Sequence, residues 1–462
     1  MRAGVRTRGM IKHYHFIGIG GIGMSGIARL FISRGHKVTG SDLKENRMTG
    51  ELRGSGAQVF IGHKEKNTRG ADFIVYSSAI KEDNPEIREA RRLGIPLIKR
   101  AQALAELMRD KSVITVAGSH GKTTISSLVA YLLLEAGLSP TMAIGGIFKN
   151  IGNNAESGCG DYFVAEADES DGSFLYYQPK YSIITNVDRE HLDYYKDFSN
   201  EIQTFGDFIN KTQEDGCVFC CSDDINLRAL AAASGKRRVM FGLEDGADVR
   251  PGNIKMEGLS SEFDCFYRGR PLEHFRLALG GTHNISNALS VIALAMELKI
   301  SPEVVKRALA GYKGAGRRLE VKFTDGDYTL IDDYAHHPTE IKASLSALRN
   351  FKSKRLVAVF QPHRFSRTQM LMDEFAASFD LADCIIVTDI YPAGEQPIEG
   401  VDSLALCDRI RRRSPGKFLE FLPKDKITEH ILKTLQPGDL VVTLGAGDII
   451  KNCDELAQRL KK

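Results

Sequence analysis

Residues 112–137 read SVITVAGSHGKTTISSLVAYLLLEAG, and this stretch decides the fold class of the middle of the chain. An apolar run precedes a short glycine loop and an apolar segment of helical length follows it, which predicts a buried strand, a loop and a helix. Amides at the start of such a helix bind phosphate, the loop lysine reaches the β and γ phosphates of a nucleotide, and the next hydroxyl holds Mg²⁺. The predicted nucleotide-binding residues are Gly118, Ser119, His120, Gly121, Lys122, Thr123 and Thr124.

This loop departs from the common GxxxxGK[ST] spacing, because Val116 stands where the first glycine would stand. A glycine turn without a ligand is the alternative interpretation. The strand and helix signals on either side favour a nucleotide.

A second glycine loop lies near the start of the chain, in HYHFIGIGGIGMSGIARL from His13. Gly18, Gly20 and Gly23 match GxGxxG after a predicted strand, and Asp42 follows Gly23 by 19 residues at the end of the next one. Alone, this spacing is typical of NAD or FAD binding, with the aspartate on the ribose hydroxyls. A nucleotide sugar also carries a diphosphate that fits a helix N-terminus, and a tight crossover without a ligand is a third interpretation.

An acidic stretch follows the predicted strand YFVAEAD. It contains Glu166, Asp168, Glu169 and Asp171 within six residues. Because these carboxylates would repel one another without a cation, they indicate a Mg²⁺ site, and a solvated acidic loop is the alternative. His191, after the strand YSIITNVD, offers a nitrogen ligand, although a lone histidine is more often a structural hydrogen-bonding residue.

The strand pattern restarts after GYKGAGRRLE, and polar clusters again follow predicted parallel strands. The residues concerned are Asp332, Asp333, Tyr334, His336 and His337 in one cluster and His363, Arg364 and Arg367 in the next. Arginines three positions apart are suited to a carboxylate or a phosphate, and a solvated basic turn is the alternative. Arg317 and Arg318 precede this region and resemble charge stabilisers for a transferring phosphoryl group.

Charge and composition exclude several classes of function. The chain has 462 residues, of which 62 are basic and 59 acidic, so its formal charge of +3 gives no global field for nucleic acid or an anionic membrane. No apolar stretch reaches the roughly 18 residues of a membrane span. We expect a protein that binds small molecules, with neither nucleic acid nor membrane as a partner.

Cysteine usage points to a reducing compartment. The eight cysteines are expected to stay reduced in a cytosol. The isolated CxxC motif of Cys217 and Cys220 is expected to be part of a strand and not to bind zinc. The basic start, MRAGVRTRG, is interpreted as a disordered tail or as an upstream start ahead of Met10.

The element pattern predicts an α/β protein of three domains. Residues 1–108 are predicted to form a Rossmann-like domain, residues 109–316 a central P-loop domain and residues 317–462 a C-terminal Rossmann-like domain.

In this order the motifs resemble one family across nearly the whole chain, the Mur ligases. The matching stretches are HFIGIGGIGMSGIARL, VAGSHGKTT, EADESDGSF, GTHNISNALS, RRLE, DDYAHHPTEI, FQPHRFSRT and DIYPAGEQPI. They are most similar to the branch that joins L-alanine to the lactyl carboxylate of UDP-N-acetylmuramate. The resemblance implies a cytoplasmic ligase of peptidoglycan synthesis, dependent on ATP and Mg²⁺ and ADP-forming, which acts as a monomer or homodimer in cell-wall biogenesis, cell shape and cell division.

The resemblance also implies roles for single residues. The implied catalytic residues are Lys122, Glu166, His191, Arg318 and His336, with Thr123, Glu166 and His191 as metal ligands. Asn284, Asn287, Arg318 and Asp333 join the ATP-binding residues of the loop. Gly18, Gly20, Gly21, Gly23, Asp42 and Ser77 are implied to bind the UDP-sugar. His336, Arg364 and Arg367 are implied to bind the amino acid, in a C-terminal domain that closes on ATP.

One position departs from the family pattern. Several Mur ligases carry a carbamylated lysine 15 residues past the histidine that matches His191, and Gly206 stands there in this chain. We therefore assign no carbamylated lysine. The alternatives are a ligase that attaches a preformed peptide during cell-wall recycling, an NAD-dependent oxidoreductase, and a P-loop switch protein without ligase activity.

Overall fold

The computed structural model describes residues 10–461, so the interpretation of residues 1–9 lies outside the described residues. The chain divides into two compact units. Unit 1 comprises residues up to Arg250 together with Tyr267–Gly269 and Asn287–Ala308. Unit 2 comprises Pro251–Phe266, Arg270–Ser286 and the residues from Leu309 onward.

The first sheet of unit 1 has five parallel strands in the order β3-β2-β1-β4-β5. The strands are β1 (His13–Ile17), β2 (Lys37–Asp42), β3 (Gln58–Ile61), β4 (Phe73–Tyr76) and β5 (Leu97–Lys99). The helices are α1 (Ile22–Ser33), α2 (Arg47–Gly54), α3 (Pro85–Leu93) and α4 (Arg100–Met108). The strand order reverses between β1 and β4, and ligands of open α/β sheets bind at such switch points. The glycine loop after β1 lies at this point.

The second sheet of unit 1 contains strands in the order β12-β11-β10-β6-β9-β7-β8. They are β6 (Ser112–Ala117), β7 (Thr141–Phe148), β8 (Asn153–Glu156), β9 (Tyr162–Glu166), β10 (Tyr181–Ile184), β11 (Cys217–Cys221) and β12 (Arg238–Phe241). The helices are α5 (Lys122–Glu135), α6 (Leu192–Tyr195), α7 (Phe198–Asn210) and α8 (Ile225–Ala233). β6 pairs with β9 and β10 in parallel and is almost completely buried, which explains its continuous apolar sequence.

Five elements follow β12 and precede the sheet of unit 2. They are β13 (Val249–Glu257), β14 (Ser260–Tyr267), β15 (Arg270–Leu277), α9 (Thr282–Glu297) and α10 (Pro302–Gly311). Four of them contain residues of both units, and the fifth, β15, lies entirely in unit 2.

The sheet of unit 2 has six strands in the order β16-β17-β21-β18-β19-β20, with only β16 antiparallel to its neighbour. The strands are β16 (Glu320–Thr324), β17 (Thr329–Asp333), β18 (Arg355–Phe360), β19 (Cys384–Val387), β20 (Phe418–Phe421) and β21 (Asp439–Leu444). The helices are α11 (Pro338–Leu348), α12 (Phe365–Met370), α13 (Met372–Ala376), α14 (Ser403–Arg413), α15 (Ile427–Thr434) and α16 (Ile450–Leu460). Alternate residues of β18 enter two separate apolar cores, Leu356 in one and Val357 in the other, so both faces of this sheet are covered.

The predicted α/β class is therefore confirmed, with three sheets in the predicted order along the chain. Cys217 and Cys220 lie on the buried strand β11, as predicted, and all eight cysteines are free thiols. No helix between residues 10 and 461 combines the length and the apolar character that a membrane crossing requires.

Candidate active site

The predicted nucleotide loop connects β6 to α5 in unit 1. β6 ends at Ala117 and α5 begins at Lys122, so the predicted strand, loop and helix are confirmed. Gly118 has a φ of +125°, and a Cβ there would overlap the hydroxyl of Thr185. Gly121 caps α5 with a φ of +85°. Both positions require glycine, and they place a helix N-terminus at the end of a buried strand, as phosphate binding demands.

The segment after β10 holds the loop in place. Thr185 Oγ1 donates a hydrogen bond to the His120 carbonyl at 2.6 Å, and the His120 amide donates to Asn186 Oδ1 at 2.9 Å. The amide of Asp188 donates to Ser119 Oγ at 2.8 Å, and a carboxylate oxygen of Asp188 lies 3.0 Å from His120 Nε2. Sequence reasoning missed this support, whose only signal was the polar end of the strand YSIITNVD.

Lys122 is folded back over the loop. Its ammonium donates to the carbonyl oxygens of Gly118 and Ser119 at 2.6 and 3.1 Å and to Glu169 Oε1 at 2.8 Å. Burial lowers the pKa of Lys122, but the carboxylates of Glu169 and Glu166 outweigh burial and hold that pKa above its ordinary value. Burial also raises the pKa of Glu169 to about 7, although Lys122 opposes this effect. A charged ammonium thus lies over the loop beside a buried acid.

Glu166 ends β9 beside the loop. Its two oxygens lie 3.2 and 3.0 Å from the hydroxyl of Thr123, which donates to them, and Oε2 also accepts the Gly145 amide at 2.9 Å. A hydroxyl and a carboxylate side by side are oxygen ligands of the kind that Mg²⁺ prefers. These two predicted metal ligands are therefore brought together, and Gly145 fixes the carboxylate.

The other carboxylates of the acidic stretch have separate partners. Asp168 accepts a hydrogen bond from Arg100 at 2.8 Å, and Asp171 accepts the Ser173 amide at 3.1 Å. Glu169 faces Lys122 as described above. These three acids of the loop therefore accept hydrogen bonds from three different donors. The composition of the stretch could not predict these separate partners.

His191 lies near Glu169 but not within hydrogen-bond distance of it. Its Nε2 is 3.7 Å from Glu169 Oε1 and 4.0 Å from Glu190 Oε2, and its φ is +55°. Glu201 of α7 is completely buried in unit 1. Burial and the nearby Glu169 raise the pKa of Glu201 to about 8. Sequence reasoning did not identify this residue.

Asn287 and Gly206 are two further positions of unit 1 that the sequence singled out. Asn287 is packed against it, since a Cβ on Gly121 would lie 2.8 Å from Asn287 Oδ1. Gly206 of α7 packs on α8, where its Cβ would lie 3.1 Å from Leu230 Cδ2. A long side chain at position 206 would therefore meet α8.

The first glycine loop is fixed by β2. The amides of Gly18 and Ile19 donate to the Ser41 carbonyl at 2.8 and 3.0 Å, and the Gly20 amide donates to Asp42 Oδ2 at 2.8 Å. In this structure Asp42 therefore supports the loop itself. Gly21 caps α1 without a side chain.

Two further predicted UDP-sugar residues flank that loop. Gly23 lies in the first turn of α1, and Ser77 follows β4, the neighbour of β1 across the switch point. The Ser77 carbonyl accepts the Ile80 amide at 3.0 Å, and a Cβ on Gly18 would lie 3.5 Å from Ile80 Cδ1. The turn after β4 therefore borders the first glycine loop.

In unit 2, Asp333 ends β17 and is buried. It accepts the amides of Leu319 and Ala335, both at 2.7 Å, and burial raises its pKa to about 6 although Arg318 opposes the shift. Arg318 lies 3.6 Å from Glu340 and 5.3 Å from the ring centre of Tyr334. Asn284, also buried in unit 2, donates to the Gly280 carbonyl at 2.8 Å.

Arg317 differs from its neighbour Arg318. Its guanidinium donates to the buried Asp332 at 2.9 Å and to the Gly445 carbonyl at 2.6 Å, and so ties the start of this region to the sheet. The adjacent arginines, which sequence reasoning treated together, thus have different partners.

The last predicted cluster forms at the ends of β17 and β18. The rings of His336 and His363 are 5.6 Å apart, and Arg367 Nη1 lies 3.3 Å from His363 Nδ1. Arg364 has a φ of +71° and donates its amide to the Tyr391 carbonyl at 2.8 Å. His337 instead caps α11. The structure therefore brings His336, His363 and Arg367 together.

Comparison with known proteins places these sites in a family. Three family models match in order: the Mur ligase family catalytic domain over residues 13–112, the Mur ligase middle domain over 116–295 and the Mur ligase glutamate ligase domain over 317–447. The UDP-N-acetylmuramate--L-alanine ligase of Geobacter sp. (strain M21) is 46% identical over 98% of each chain. That of Geotalea uraniireducens is 45% identical over 98% of this chain and 99% of its own.

Solved structures agree. The UDP-N-acetylmuramate-alanine ligase from Thermotoga maritima superposes with a TM-score of 0.84 at 30% identity, over 97% of this chain and 99% of that one. A murein peptide ligase from Psychrobacter arcticus gives a TM-score of 0.72 at 25% identity, over 97% and 98% of the two chains. With family matches from residue 13 to residue 447 and relatives that align along almost the entire chain, the protein belongs to the Mur ligase family.

Proposed function

We propose that this protein is an ATP-dependent, ADP-forming ligase that joins L-alanine to the lactyl carboxylate of UDP-N-acetylmuramate in peptidoglycan synthesis. The observation that carries the proposal is the presence of two different glycine loops in unit 1. The loop before α5 presents Lys122 and Thr123 and suits a nucleoside triphosphate. The loop before α1 has neither residue type and suits the diphosphate of a UDP-sugar.

The chemistry follows from the low reactivity of a carboxylate toward amines. An oxygen of the lactyl carboxylate attacks the γ phosphorus of ATP, and ADP leaves. The amine of alanine then attacks the acyl carbon, loses a proton, and the amide forms as phosphate departs with the carboxylate oxygen. Two easier steps replace one difficult step. Catalysis then consists mainly of positioning and charge neutralisation.

Residues of unit 1 supply the phosphate site. Lys122 exchanges Glu169 for the β and γ phosphates, and its charge compensates the charge of the transferring phosphoryl group. Thr123 and Glu166 fit a Mg²⁺ ion, because their oxygens already lie 3.0 Å apart, and His191 is the third proposed ligand. When bound, Mg²⁺ would neutralise phosphate charge.

The remaining roles follow the family resemblance. By that resemblance we assign Asn284, Asn287, Arg318 and Asp333 to the nucleotide. We assign His336, Arg364 and Arg367 to alanine, whose carboxylate suits a guanidinium. The proposed domains are residues 1–108, 109–316 and 317–462.

We also propose that the protein works in the cytoplasm. Its eight free thiols support a reducing environment.

Product formation by the purified protein with ATP and Mg²⁺ tests this function. Phosphate release is measured with UDP-N-acetylmuramate alone, L-alanine alone, and both together, and the amide product is identified by mass spectrometry. We expect release only with both substrates, one phosphate per amide. Release with UDP-N-acetylmuramate and a preformed peptide, but not with alanine, would instead assign the chain to the recycling ligases.

A further inference from the structure

Arg100 occupies an unusual position between the two glycine loops of unit 1. It is the first residue of α4, and its side chain is 22% exposed. Its Nη2 donates to Asp168 at 2.8 Å. On its other side, a Cβ on Gly23 would lie 3.4 Å from Nη1 and 3.5 Å from Cδ. The guanidinium therefore lies between the first turn of α1 and the acidic loop that follows β9.

Most of the hydrogen-bonding capacity of Arg100 is unused. A guanidinium has five N–H donors, and within residues 10–461 that of Arg100 makes a single hydrogen bond, to Asp168. Burial lowers the pKa of Arg100, but the carboxylates of Asp168, Asp171 and Glu166 outweigh burial and hold that pKa above its ordinary value. The guanidinium therefore stays charged while most of its N–H donors lack a hydrogen-bond acceptor among residues 10–461. The arrangement suggests that the remaining donors face a ligand.

The first turn of α1 points to the charge of that ligand. This 12-residue helix has Gly21 at its N-cap, with no side chain to accept its first amides, and no acidic residue in its first turn. Those amides favour an anion, and a planar guanidinium beside them binds the paired oxygens of a phosphate or carboxylate. Helix and arginine thus favour the same type of group.

We propose that Arg100 is a substrate-binding residue that contacts an oxyanion of the UDP-sugar, with Asp168 as the residue that orients its guanidinium. This inference rests on the proposed function and adds a contact to it. A UDP-N-acetylmuramate molecule carries two candidate oxyanions, the diphosphate and the lactyl carboxylate. Because Asp168 precedes Glu169, the partner of Lys122, the same contact connects the UDP-sugar loop to the nucleotide loop through adjacent residues.

Calorimetric binding to the full-length protein tests the proposal and distinguishes the two oxyanions. The ligands are UDP-N-acetylmuramate and UDP-N-acetylglucosamine, which has the same diphosphate and no lactyl carboxylate. We expect Arg100→Gln to weaken binding of UDP-N-acetylmuramate by about ten- to a hundredfold, as for loss of a charge-assisted hydrogen bond. An equal loss for both ligands assigns the contact to the diphosphate, and a loss for UDP-N-acetylmuramate alone assigns it to the carboxylate.

Three controls separate binding from folding. Arg92→Gln removes the same charge from an exposed ion pair with Glu89 and should leave both affinities unchanged. A non-hydrolysable ATP analogue should bind Arg100→Gln as it binds the wild type. Arg100→Lys keeps the charge next to Asp168 but loses the planar pair of donors, so we expect a smaller loss, of about three- to tenfold.

Two results would overturn the proposal. Unchanged affinity of Arg100→Gln or Arg100→Lys for both ligands, in a wild-type protein that binds them, would reject the role of Arg100 alone. If the wild type binds neither UDP-sugar, the proposed function fails together with this inference.

Discussion

The ammonium of Lys122 lies 2.8 Å from the Glu169 carboxylate, and that carboxylate is 1% exposed. In the proposed nucleotide complex, a phosphate of ATP replaces this acid as the partner of the lysine. Burial raises the pKa of Glu169 to about 7, although the Lys122 ammonium opposes this shift. The carboxylates of Glu169 and Glu166 thus keep Lys122 charged over the loop, where we propose that it binds the nucleotide.

Replacing Lys122 by alanine should abolish ligation while leaving the UDP-sugar site intact. Loss of the phosphate charge is expected to lower kcat by at least about a hundredfold. Turnover assays and UDP-N-acetylmuramate titrations of the variant measure both effects. Lys180→Ala, which removes a partly exposed lysine paired with Asp215, is the matched control and should be active. A parallel loss of UDP-sugar binding would argue against two separate phosphate sites.

A methyl group at Gly118 should disable the nucleotide loop. Its Cβ would overlap the Thr185 hydroxyl and the residue would keep a φ of +125°, so the loop must move away from its support after β10. We expect Gly118→Ala to weaken binding of an ATP analogue by about tenfold or more. Gly35→Ala is the control. Its φ of +84° is also unfavourable for alanine, but open space surrounds the added Cβ, so no atoms overlap. Equal nucleotide affinity in the two variants would contradict this explanation.

Arg367 should act on the amino acid rather than on the nucleotide. Its guanidinium lies beside His363, whose ring neighbours His336, and we assign it to the alanine carboxylate. Arg367→Ala is expected to raise the KM for L-alanine by about ten- to a hundredfold with little change in the KM for ATP. Steady-state kinetics with each substrate varied in turn separates the two. A change confined to ATP would move this arginine to the nucleotide site, and Arg411→Ala, an exposed ion-paired arginine, serves as the control.

The buried Glu201 should make stability fall as pH rises. Its pKa in the folded protein is about 8, above the ordinary value of 4.5, so the folded state disfavours the charged form. This contribution is fully present below about pH 4.5 and is lost as pH rises through about 8. We expect Glu201→Gln to raise the Tm relative to wild type progressively between these limits, by about 5 °C at the upper end.

The control for this prediction is an exposed glutamate. Glu303→Gln, at a side chain that is 71% exposed, should shift the Tm equally at all pH values. A difference between Glu201→Gln and wild type that stays constant from pH 5 to 8.5 would show that the carboxylate is not held neutral.

The local pattern was enough to predict the elements around both glycine loops. The run before Gly118 is apolar, the run before Gly18 combines aromatic and aliphatic residues with two histidines, and a run of helical length follows each glycine loop. Glycine is favoured at Gly18 and Gly118 by φ values of +75° and +125°. Four of the five parallel strands of unit 2, β17, β18, β19 and β21, were predicted for the same reason. The parallel strand β20 and the antiparallel edge strand β16 were missed because both are only partly buried and lack a continuous apolar run.

The partners of charged residues could not be predicted in this way. Arg100 and Asp168 are separated by 68 positions, so nothing local indicates their contact. Arg317 and Arg318 are adjacent and identical in type, yet one is bound to Asp332 and the other lies near Glu340. The geometry of ion pairs depends on sheet topology, which brings distant strand ends together after the elements have formed.

The central claim is that the carboxylate is activated by phosphorylation, and the most direct test follows its oxygen atoms. UDP-N-acetylmuramate labelled with ¹⁸O in the lactyl carboxylate is incubated with the protein, ATP, Mg²⁺ and L-alanine, and the released phosphate is analysed by mass spectrometry. The account predicts that each phosphate carries one oxygen from the carboxylate. Phosphate without label, released in step with the amide, would contradict an acyl-phosphate intermediate.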